Sequence, residues 1–221
     1  MSRLVSRHLH DVRSYFRRYG YGKTVLRVLT DSLRQARILR ISRFIVLQPD
    51  HINSSAFSPE VSYERSLLPA AGMRQYQSQL PDQLPESFLV PAEQRDDYCY
   101  AMFDKRRLVS FGWYATRSAH LFDRCLYFNH DFVYMYHGFT RPEYRGQRLH
   151  ALGLAEAMTI FQQRKKSAIV STVNITNYGA RRSAARLGFR CRGNIIQVGP
   201  GWLGLLFVTP GARACGVRLQ R

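Results

Sequence analysis

A basic, glycine-containing turn follows an apolar run in the second half of the chain. Residues 132–151 read FVYMYHGFTRPEYRGQRLHA, and Pro142 ends the β-branched and aromatic run because it has no N–H to give to a sheet. Apolar residues then return at helical spacing, at Leu149, Leu152, Leu154, Ala155, Met158 and Phe161. A strand, a basic turn and a helix start bring unpaired backbone N–H groups together at the positive end of the helix. This arrangement predicts a binding site for phosphate.

Residues 142–147, PEYRGQ, resemble the start of the acyl-CoA loop of the GNAT acetyltransferase superfamily. The signature of that family is Arg/Gln-x-x-Gly-x-Gly/Ala directly after a strand. A second half of the family pattern lies downstream, where an apolar strand over residues 168–173 is followed by Asn177 and Ala180. Seven further residues lead to Gly188-Phe189, the turn at which the corresponding helix of the family ends. Two half-motifs in the right order make the resemblance specific.

The resemblance covers residues 98–208 and implies an α/β (α+β) fold with a mixed, largely antiparallel central sheet flanked by helices. It implies acyl transfer to a primary amine on a small molecule or peptide, with acetyl-CoA as co-substrate and no metal. In the family the central strand splays from its neighbour, and the pantetheine arm of the donor hydrogen-bonds along the exposed strand edge. The residues implied to contact the donor are Phe139, Thr140, Arg145, Gly146, Gln147, Arg148, Leu149, His150, Ala151, Asn177 and Ala180.

Three positions depart from the family pattern. Arg148 and His150 stand where the family usually has its two loop glycines, and these side chains could crowd a pyrophosphate. We expect the loop amides still to face the phosphates while the Arg148 side chain adds a charged contact. Ala184 stands where many members have the tyrosine that protonates the leaving thiolate. These departures leave open an acyl carrier protein as donor, or a non-catalytic module of GNAT origin that binds an anionic membrane or nucleic acid.

Acyl transfer requires a donor to the oxyanion and a base for the amine. By the resemblance, the N–H that faces the thioester oxygen belongs to Gly138, and one such donor is worth about 3 kcal/mol. Tyr136 and His137 are the catalytic candidates beside it. An unperturbed imidazole titrates at about pH 6.5, so His137 could accept the proton of the amine. Strand alternation places these two side chains on opposite faces unless a bulge intervenes. Further candidates for the base are His130, Asp131 and Asp123.

The 221-residue chain carries 33 Lys and Arg against 15 Asp and Glu, a net charge of +18. This excess predicts an anionic partner, such as a membrane surface, an acidic carrier protein or the phosphates of the donor. Residues 1–40 combine basic residues with helically spaced apolar ones, which predicts two amphipathic helices broken at Gly20 and Gly22. This arm either docks on the domain or contacts anionic lipid. Aromatic and basic residues interleave too loosely to favour nucleic acid.

The remaining pattern indicates one domain in the cytoplasm. No apolar run approaches the roughly 20 residues that span a bilayer, and the N-terminus does not read as a secretory signal. Four widely spaced cysteines, Cys99, Cys125, Cys191 and Cys215, predict buried, reduced thiols. Beyond the arm we expect a domain over residues 41–210 and a frayed basic tail over 211–221. The further strands predicted cover residues 41–47, 98–103 and 108–115, and a strand over 120–128 continues the sheet. Residues 195–198 and 203–208 are predicted to form a hairpin. Residues 50–97 are a proline-divided acceptor region with one predicted helix, over 70–79.

Overall fold

The computed structural model describes residues 14–57, 63–200 and 203–220. Its α-helices are α1 (Tyr21–Gln35), α2 (Glu86–Gln94), α3 (Leu149–Gln163), α4 (Tyr178–Leu187) and α5 (Pro210–Arg213). Its strands are β1 (Leu39–Leu47), β2 (Glu64–Pro69), β3 (Tyr98–Asp104), β4 (Arg107–Ala115), β5 (Ser118–Leu121), β6 (Arg124–Tyr127), β7 (Phe132–Thr140), β8 (Ala168–Asn174), β9 (Arg190–Val198), β10 (Leu205–Val208) and β11 (Arg218–Gln220). Short 3-10 helices cover Pro49–His51, Ser54–Ala56, Ala70–Gln79 and Pro142–Tyr144.

The main sheet has eight strands in the order β10-β9-β1-β8-β7-β4-β3-β2. Neighbouring strands run antiparallel except β7 and β8, which are parallel. The parallel pair is possible because α3 lies between these two strands in sequence and returns the chain to the same end of the sheet. The predicted α/β (α+β) fold with a mixed, largely antiparallel sheet flanked by helices is confirmed.

Strand β1 lies inside the sheet, between β8 and β9, and pairs antiparallel with both. Its last four residues are all buried, as expected for an apolar run in a central strand. After β1 the chain crosses to the far edge of the sheet, where it forms β2, the 3-10 helix Ala70–Gln79 and α2. The helix predicted over residues 70–79 is therefore present with 3-10 geometry.

Successive side chains of β1 point to opposite faces of the sheet and contribute to a different core on each face. Ile45 and Leu47 belong to the core beneath α3 and α4, whereas Phe44 and Val46 belong to a core on the opposite face. A third core, around Trp113, lies where the 3-10 helix Ala70–Gln79 and α2 cover β3 and β4. Burying one large apolar side chain contributes about 1.5–3 kcal/mol, and a slip of one residue in β1 would exchange the side chains that fill the two cores.

A separate three-stranded sheet, in the order β11-β6-β5, contains the hairpin that follows β4. The prediction that residues 120–128 continue the main sheet as one strand is wrong. Phe122 and Asp123 have left-handed backbone, with φ of 55° and 63°, and turn the chain into the hairpin β5–β6. The prediction of a frayed tail is also wrong, because α5 packs on β9 and β11 pairs with β6. Residues 210–220 are thus part of the packed structure.

The described part of the N-terminal arm consists of two helical pieces. Residues 14–19 are helical, Gly20 interrupts the helix at φ 83°, and α1 follows and packs on β1. The predicted break at Gly20 is confirmed, whereas Gly22 lies within α1. The predicted helix before residue 14 falls outside the described residues. Among the residues that are described, no helix is both long and apolar enough to cross a membrane.

The four cysteine thiols are all free. Cys99 is buried in β3, as predicted, and its burial raises the pKa of the thiol. Cys125 and Cys215 are half-buried. Cys191 is exposed at the start of β9, so the prediction of a buried thiol is wrong there.

Candidate functional site

The two parallel central strands diverge and open a cleft. They pair from Phe132 with Ala168 to Met135 with Ser171, and beyond that point they separate. The cleft between them has a volume of about 350 Å³ and is closed on its sides by the first turns of α3 and by α4. Strand edges without a neighbour expose N–H and C=O groups, so an extended ligand can hydrogen-bond along them. The lining includes Met135, Tyr136, Gly138, His150, Ala151, Thr172, Asn174, Asn177, Ala180 and Ala184.

A β-bulge at Tyr136 determines where the candidate bases point. The residues of β7 that pair successively with β4 are Met135 and His137, so Tyr136 is an extra residue without an opposite partner. Both rings consequently approach Phe88 of α2, with centroid distances of 5.9 Å for Tyr136 and 5.1 Å for His137. The two candidates lie on the same face of the strand, the face opposite α3 and α4.

Tyr136 belongs to a buried polar network on that face. Its hydroxyl donates a hydrogen bond of 2.9 Å to Oδ2 of Asp97, the residue directly before β3. The guanidinium of Arg95 donates to the same oxygen at 2.7 and 3.0 Å, and its centre lies 5.8 Å from the centroid of the Tyr136 ring. Oδ1 of Asp97 is buried and has no hydrogen-bond partner among the described residues. The carboxylate therefore retains one oxygen that can accept a proton.

Burial controls the protonation of this network. Asp97 is 1% exposed, and this desolvation raises the pKa of its carboxyl although Arg95 opposes the shift. Burial, together with the neighbouring charge of Asp97, also raises the pKa of Tyr136 and keeps the phenol neutral. A carboxylate with a raised pKa is a stronger base than an exposed one, and a neutral phenol can pass a proton to it. Tyr136 and Asp97 can thus act together as a proton acceptor at the cleft.

His137 does not line the cleft but lies in an apolar pocket beside it. Its ring centroid is 5.1 Å from that of Phe88 and 5.5 Å from that of Phe111. The ring hydrogen-bonds with the backbone of Gln83, and its Nε2 is buried without a partner among the described residues. Burial lowers the pKa of His137, which keeps the imidazole neutral at about pH 7. This position is one of packing, whereas Tyr136 is one of the residues that line the cleft.

Gly138 lies beyond the point of divergence, and the ring of His150 from α3 covers it. A Cβ added to Gly138 would lie 2.5 Å from Cε1 of His150 and 2.8 Å from Cε of Met135, so only glycine fits without a shift of these side chains. Burial lowers the pKa of His150, which leaves a neutral imidazole against the backbone of Gly138. The predicted oxyanion donor and a loop histidine are therefore in direct contact.

Two arginines of the loop between β7 and α3, Arg145 and Arg148, precede the cleft residues His150 and Ala151 in sequence. Gly146 has φ 90°, and no atom lies within 4 Å of the position that a Cβ would take there. Arg148 precedes α3 in the left-handed region, at φ 58°, a conformation that costs a non-glycine residue about 1 kcal/mol. The guanidinium of Arg148 donates to the carbonyl of Ser55 at 3.0 Å, and that of Arg145 donates to the carbonyl of Thr140 at 3.3 Å. The predicted contact of Arg148 with phosphate stays a prediction.

The other residues predicted to contact the donor fall into two groups. Those that line the cleft are His150, Ala151, Asn177 and Ala180. Those outside its lining are Phe139, Thr140, Gln147 and Leu149. The Phe139 ring packs on Phe111, and the Thr140 hydroxyl hydrogen-bonds with that of Ser110. Gln147 accepts a hydrogen bond from the Tyr63 hydroxyl, and Leu149 is buried in the core. The donor-binding residues predicted from the loop thus divide between cleft and scaffold.

Asn177 combines two roles at the start of α4. Its Oδ1 accepts a hydrogen bond of 3.1 Å from the backbone N–H of Ala180, which is the capping contact expected of an asparagine before a helix. The same residue lines the cleft. Ala184, seven residues further along the chain in α4, also lines the cleft and brings no acidic proton to it.

The remaining base candidates lie away from the cleft. Nε2 of His130 lies 2.9 Å from Oδ1 of Asp131 before β7, and Asp123 pairs with Arg40 at 3.2 Å in the β5–β6 turn. Within the described ranges no three His, Cys, Asp or Glu side chains come together in a way that could hold a metal ion.

Sequence reasoning missed Asp97 and Arg95. They belong to no motif, and they approach Tyr136 only because the bulge turns its ring toward the start of β3. The available signal was a charged pair placed immediately before an apolar strand, where one side chain of the pair must be buried with the strand.

No protein-family model matches the chain, and neither does any curated protein. Among solved structures, a GNAT-family acetyltransferase from Colwellia psychrerythraea has a TM-score of 0.50 and 12% identity over 76% of this chain and 60% of that chain. A protein assigned to the same family from Novosphingobium aromaticivorans has a TM-score of 0.48 and 18% identity over 72% of this chain and 62% of that chain. The chain thus spans about three fifths of the length of these structures.

At these identities the likeness concerns the fold. The strand order agrees with it, since the central parallel pair diverges beside two helices in the way that the two half-motifs predicted. The chain therefore has the fold of the GNAT acetyltransferase superfamily.

Proposed function

We propose that the chain is an N-acyltransferase that moves an acyl group, acetyl in the simplest case, from acyl-CoA to a primary amine. The observation that carries the proposal is the cleft between β7 and β8, which has free strand edges and includes Gly138 in its lining. The acceptor class is a small molecule or a peptide. Fold alone does not fix an activity, so the proposal depends on this geometry.

The shape of the cleft fits an extended, flexible donor arm. The unpaired edge of β7 beyond Met135 can hydrogen-bond to the amides of pantetheine, and Asn177 and Ala180 bound the opposite side. The open space around Gly146 and the nearby guanidiniums of Arg145 and Arg148 suit the phosphates of the nucleotide. These features support acyl-CoA as donor.

The proposed chemistry uses residues on both sides of the bulge. The backbone N–H of Gly138 stabilises the negative charge that develops on the carbonyl oxygen as the amine nitrogen attacks the thioester carbon. Tyr136 accepts the amine proton as it passes its own proton to Asp97, so the new C–N bond forms without a free ammonium. The carbonyl then re-forms as the C–S bond breaks, and the thiolate takes a proton from solvent because Ala184 supplies none. Asp97 returns the proton that it received to solvent through Tyr136, which restores the pair. The neutral ring of His150 excludes water from Gly138 during these steps.

A donor attached to an acyl carrier protein is the second candidate. Arg148 and His150 replace the loop glycines that would approach a pyrophosphate, and Arg148 directs its guanidinium to Ser55. A carrier protein presents the same pantetheine arm without the adenosine diphosphate and carries acidic residues that a chain of net charge +18 would attract. This alternative keeps the cleft and the chemistry and changes only the source of the thioester.

The N-terminal arm is proposed to contact an anionic membrane. On α1, Val25, Leu26, Val28 and Leu29 are between 44% and 56% exposed, and basic residues flank them on the same helix. Exposed apolar residues with basic neighbours are typical of helices that lie in a lipid interface. Removal of residues 1–35 should abolish sedimentation with phosphatidylglycerol vesicles and leave acetyl-CoA binding intact. Loss of folding would show instead that α1 is part of the core.

Calorimetric titration tests the donor. The protein is titrated with acetyl-CoA, CoA and free phosphopantetheine, and an Ala180→Trp variant, which fills the cleft, is the control. Tight binding of acetyl-CoA that is lost in the variant and weakened without the nucleotide would support acyl-CoA. Equal binding of phosphopantetheine would favour the carrier protein. No binding of any of the three would contradict acyl transfer and leave a module without catalysis.

A further inference from the structure

A second cavity lies on the far side of α4 from the cleft. It has a volume of about 330 Å³ and is bounded by residues 14–19, α1, β1, α4 and β9. At 100° per residue, Arg181, Arg182 and Ala185 project from the side of α4 opposite to Ala180 and Leu187, which line the cleft. Three apolar residues, Ile45, Ala184 and Phe189, form the wall shared by the two cavities. The cavity is therefore separate from the proposed acyl site.

Four cations line this cavity: Lys23, Arg43, Arg181 and Arg182. No carboxylate is part of the lining, and none of the four forms an ion pair within residues 14–57, 63–200 and 203–220. Positive groups that converge without a counter-charge repel one another and raise the local concentration of anions.

Arg43 forms the floor of the cavity and is the most informative of the four. It lies in the central strand β1, on the same face as Ile45, opposite Val173 of β8 and Asn194 of β9. Its Nε is buried and has no hydrogen-bond partner in the described part of the chain. A buried donor without a partner costs about 1–3 kcal/mol of stability, and an apolar residue at this position would avoid that cost. An anion in the cavity would remove this penalty.

Two tyrosine rings hold the other cations in place. Nζ of Lys23 lies 5.4 Å from the centroid of the Tyr178 ring, and the guanidinium of Arg181 lies 5.1 Å from it. The guanidinium of Arg182 lies 5.8 Å from the Tyr19 ring, and the two rings are 5.8 Å apart. Cation–π contacts position a charged group without neutralising its charge. Arg181 also donates from Nη1 to the carbonyl of Ile175 at 2.7 Å, which fixes its side chain and leaves its charge without a counter-ion among the described residues.

We propose that this cavity binds a phosphate group. Planar guanidiniums match two phosphate oxygens at once, and three of the four cations are arginines. The volume exceeds that of inorganic phosphate, so an organic substituent can lie against the two tyrosines. The phosphate can come from a small ester in solution or from the head group of an acidic phospholipid, since Lys23 belongs to the helix whose apolar residues are exposed.

The test measures binding of inorganic phosphate and glycerol 3-phosphate by calorimetry, at constant ionic strength with chloride as the reference anion. Sedimentation with phosphatidylglycerol and phosphatidylcholine vesicles supplies the lipid arm. We expect Arg43→Met and Lys23→Gln each to weaken phosphate binding at least tenfold. Lys23 is exposed on α1, so its variant tests the cavity even if the Arg43 variant fails to fold. Arg186→Gln, on the same helix but outside the cavity, is the control and should bind as the wild type does.

Each outcome decides the proposal. Binding of the soluble phosphates, or of phosphatidylglycerol alone, that depends on Arg43 or Lys23 supports the cavity and identifies the source of the phosphate. Binding no stronger than that of chloride overturns it. Equal weakening in the Arg186 control would overturn it as well, because the interaction would then follow net charge. Loss in the Ala180→Trp variant would assign the phosphate to the acyl cleft instead.

Discussion

The hydroxyl of Tyr136 lies 2.9 Å from Oδ2 of Asp97, and this hydrogen bond joins the bulge of β7 to the start of β3. Asp97 is almost fully buried, and its second oxygen has no partner in the described ranges. The bond therefore connects a side chain at the cleft with a carboxylate whose pKa is raised by burial. If the chain transfers acyl groups, this pair is where the amine proton goes.

Replacement of Tyr136 by phenylalanine tests the relay. We expect kcat to fall at least about a hundredfold, the lower range for a positioned acid–base group, because Asp97 can no longer receive the proton. Stability should fall by about 1–3 kcal/mol, since the buried carboxylate loses a donor. Both are measured on one preparation, by thiol release from acetyl-CoA and by urea unfolding.

Tyr134→Phe is the matched control for that variant. Tyr134 lies two residues earlier on β7, is buried, and its hydroxyl bonds to that of Thr172 at 2.6 Å. Its loss should lower stability and leave kcat within a few-fold of the wild type. Equal losses of kcat in both variants would show that Tyr136 acts through packing alone.

The contact between Gly138 and His150 predicts a rescue. In Gly138→Ala, the added methyl group meets the His150 ring, so we expect donor binding and turnover both to fall. In the double variant with His150→Ala the ring is gone and the contact of the methyl group with Met135 remains, so turnover should recover part of the loss. A double-mutant cycle measures the coupling between the two positions. Additive effects would contradict a direct contact and would locate the loss in the backbone of β7.

The sequence was informative wherever a motif included both an element and the turn beside it. The loop from Pro142 to Gln147 predicted β7 and α3, and the Asn177 to Gly188 pattern predicted α4 with its cap. Both predictions depend on local signals, because strand periodicity, proline and helix capping act within a few residues.

What escaped prediction depends on partners distant in sequence. The bulge at Tyr136 follows from the register of β7 against β4, and β6 leaves the main sheet because β11, near the C-terminus, pairs with it. The insertion of β1 between β8 and β9 is likewise a pairing of segments from opposite ends of the chain. Apolar periodicity indicates that a strand is buried and does not indicate which strand lies beside it.

Two variants of Arg148 separate the effect of backbone strain on stability from the effect of losing the side chain. Arg148→Gly relieves the left-handed strain at φ 58° and removes the guanidinium, whereas Arg148→Ala removes the guanidinium alone. We expect the glycine variant to be more stable than the alanine variant by about 1 kcal/mol in urea unfolding. It should also bind acetyl-CoA more tightly if the loop holds pyrophosphate. Equal stability of the two variants would show that the loop relaxes around Arg148.

The buried histidines predict a dependence of stability on pH. Burial lowers the pKa values of His137 and His150 in the folded protein, so below the ordinary histidine pKa of about 6.5 the unfolded chain binds protons more readily than the folded one. The free energy of unfolding must therefore fall as the pH decreases from 6.5 through the lowered pKa values. We expect His150→Gln to flatten this decrease, as measured by urea unfolding at several pH values. The exposed position His130→Gln is the control, and an equal effect there would contradict the assignment to burial.

Ala184 predicts that a missing group can be supplied. Its side chain lines the cleft from α4, at the position where the resemblance places an acid for the leaving thiolate. In Ala184→Tyr we expect kcat to rise if protonation of the thiolate limits the rate, because a positioned phenol can deliver the proton as the C–S bond breaks. Ala184→Phe has nearly the same volume and no hydroxyl, so it shows how much of any change is steric. A rise in the tyrosine variant alone would assign the rate-limiting step to the departure of the thiolate. Equal losses in both would mean that the cleft has no room beside α4, and an unchanged kcat in the tyrosine variant would place the slow step before the C–S bond breaks.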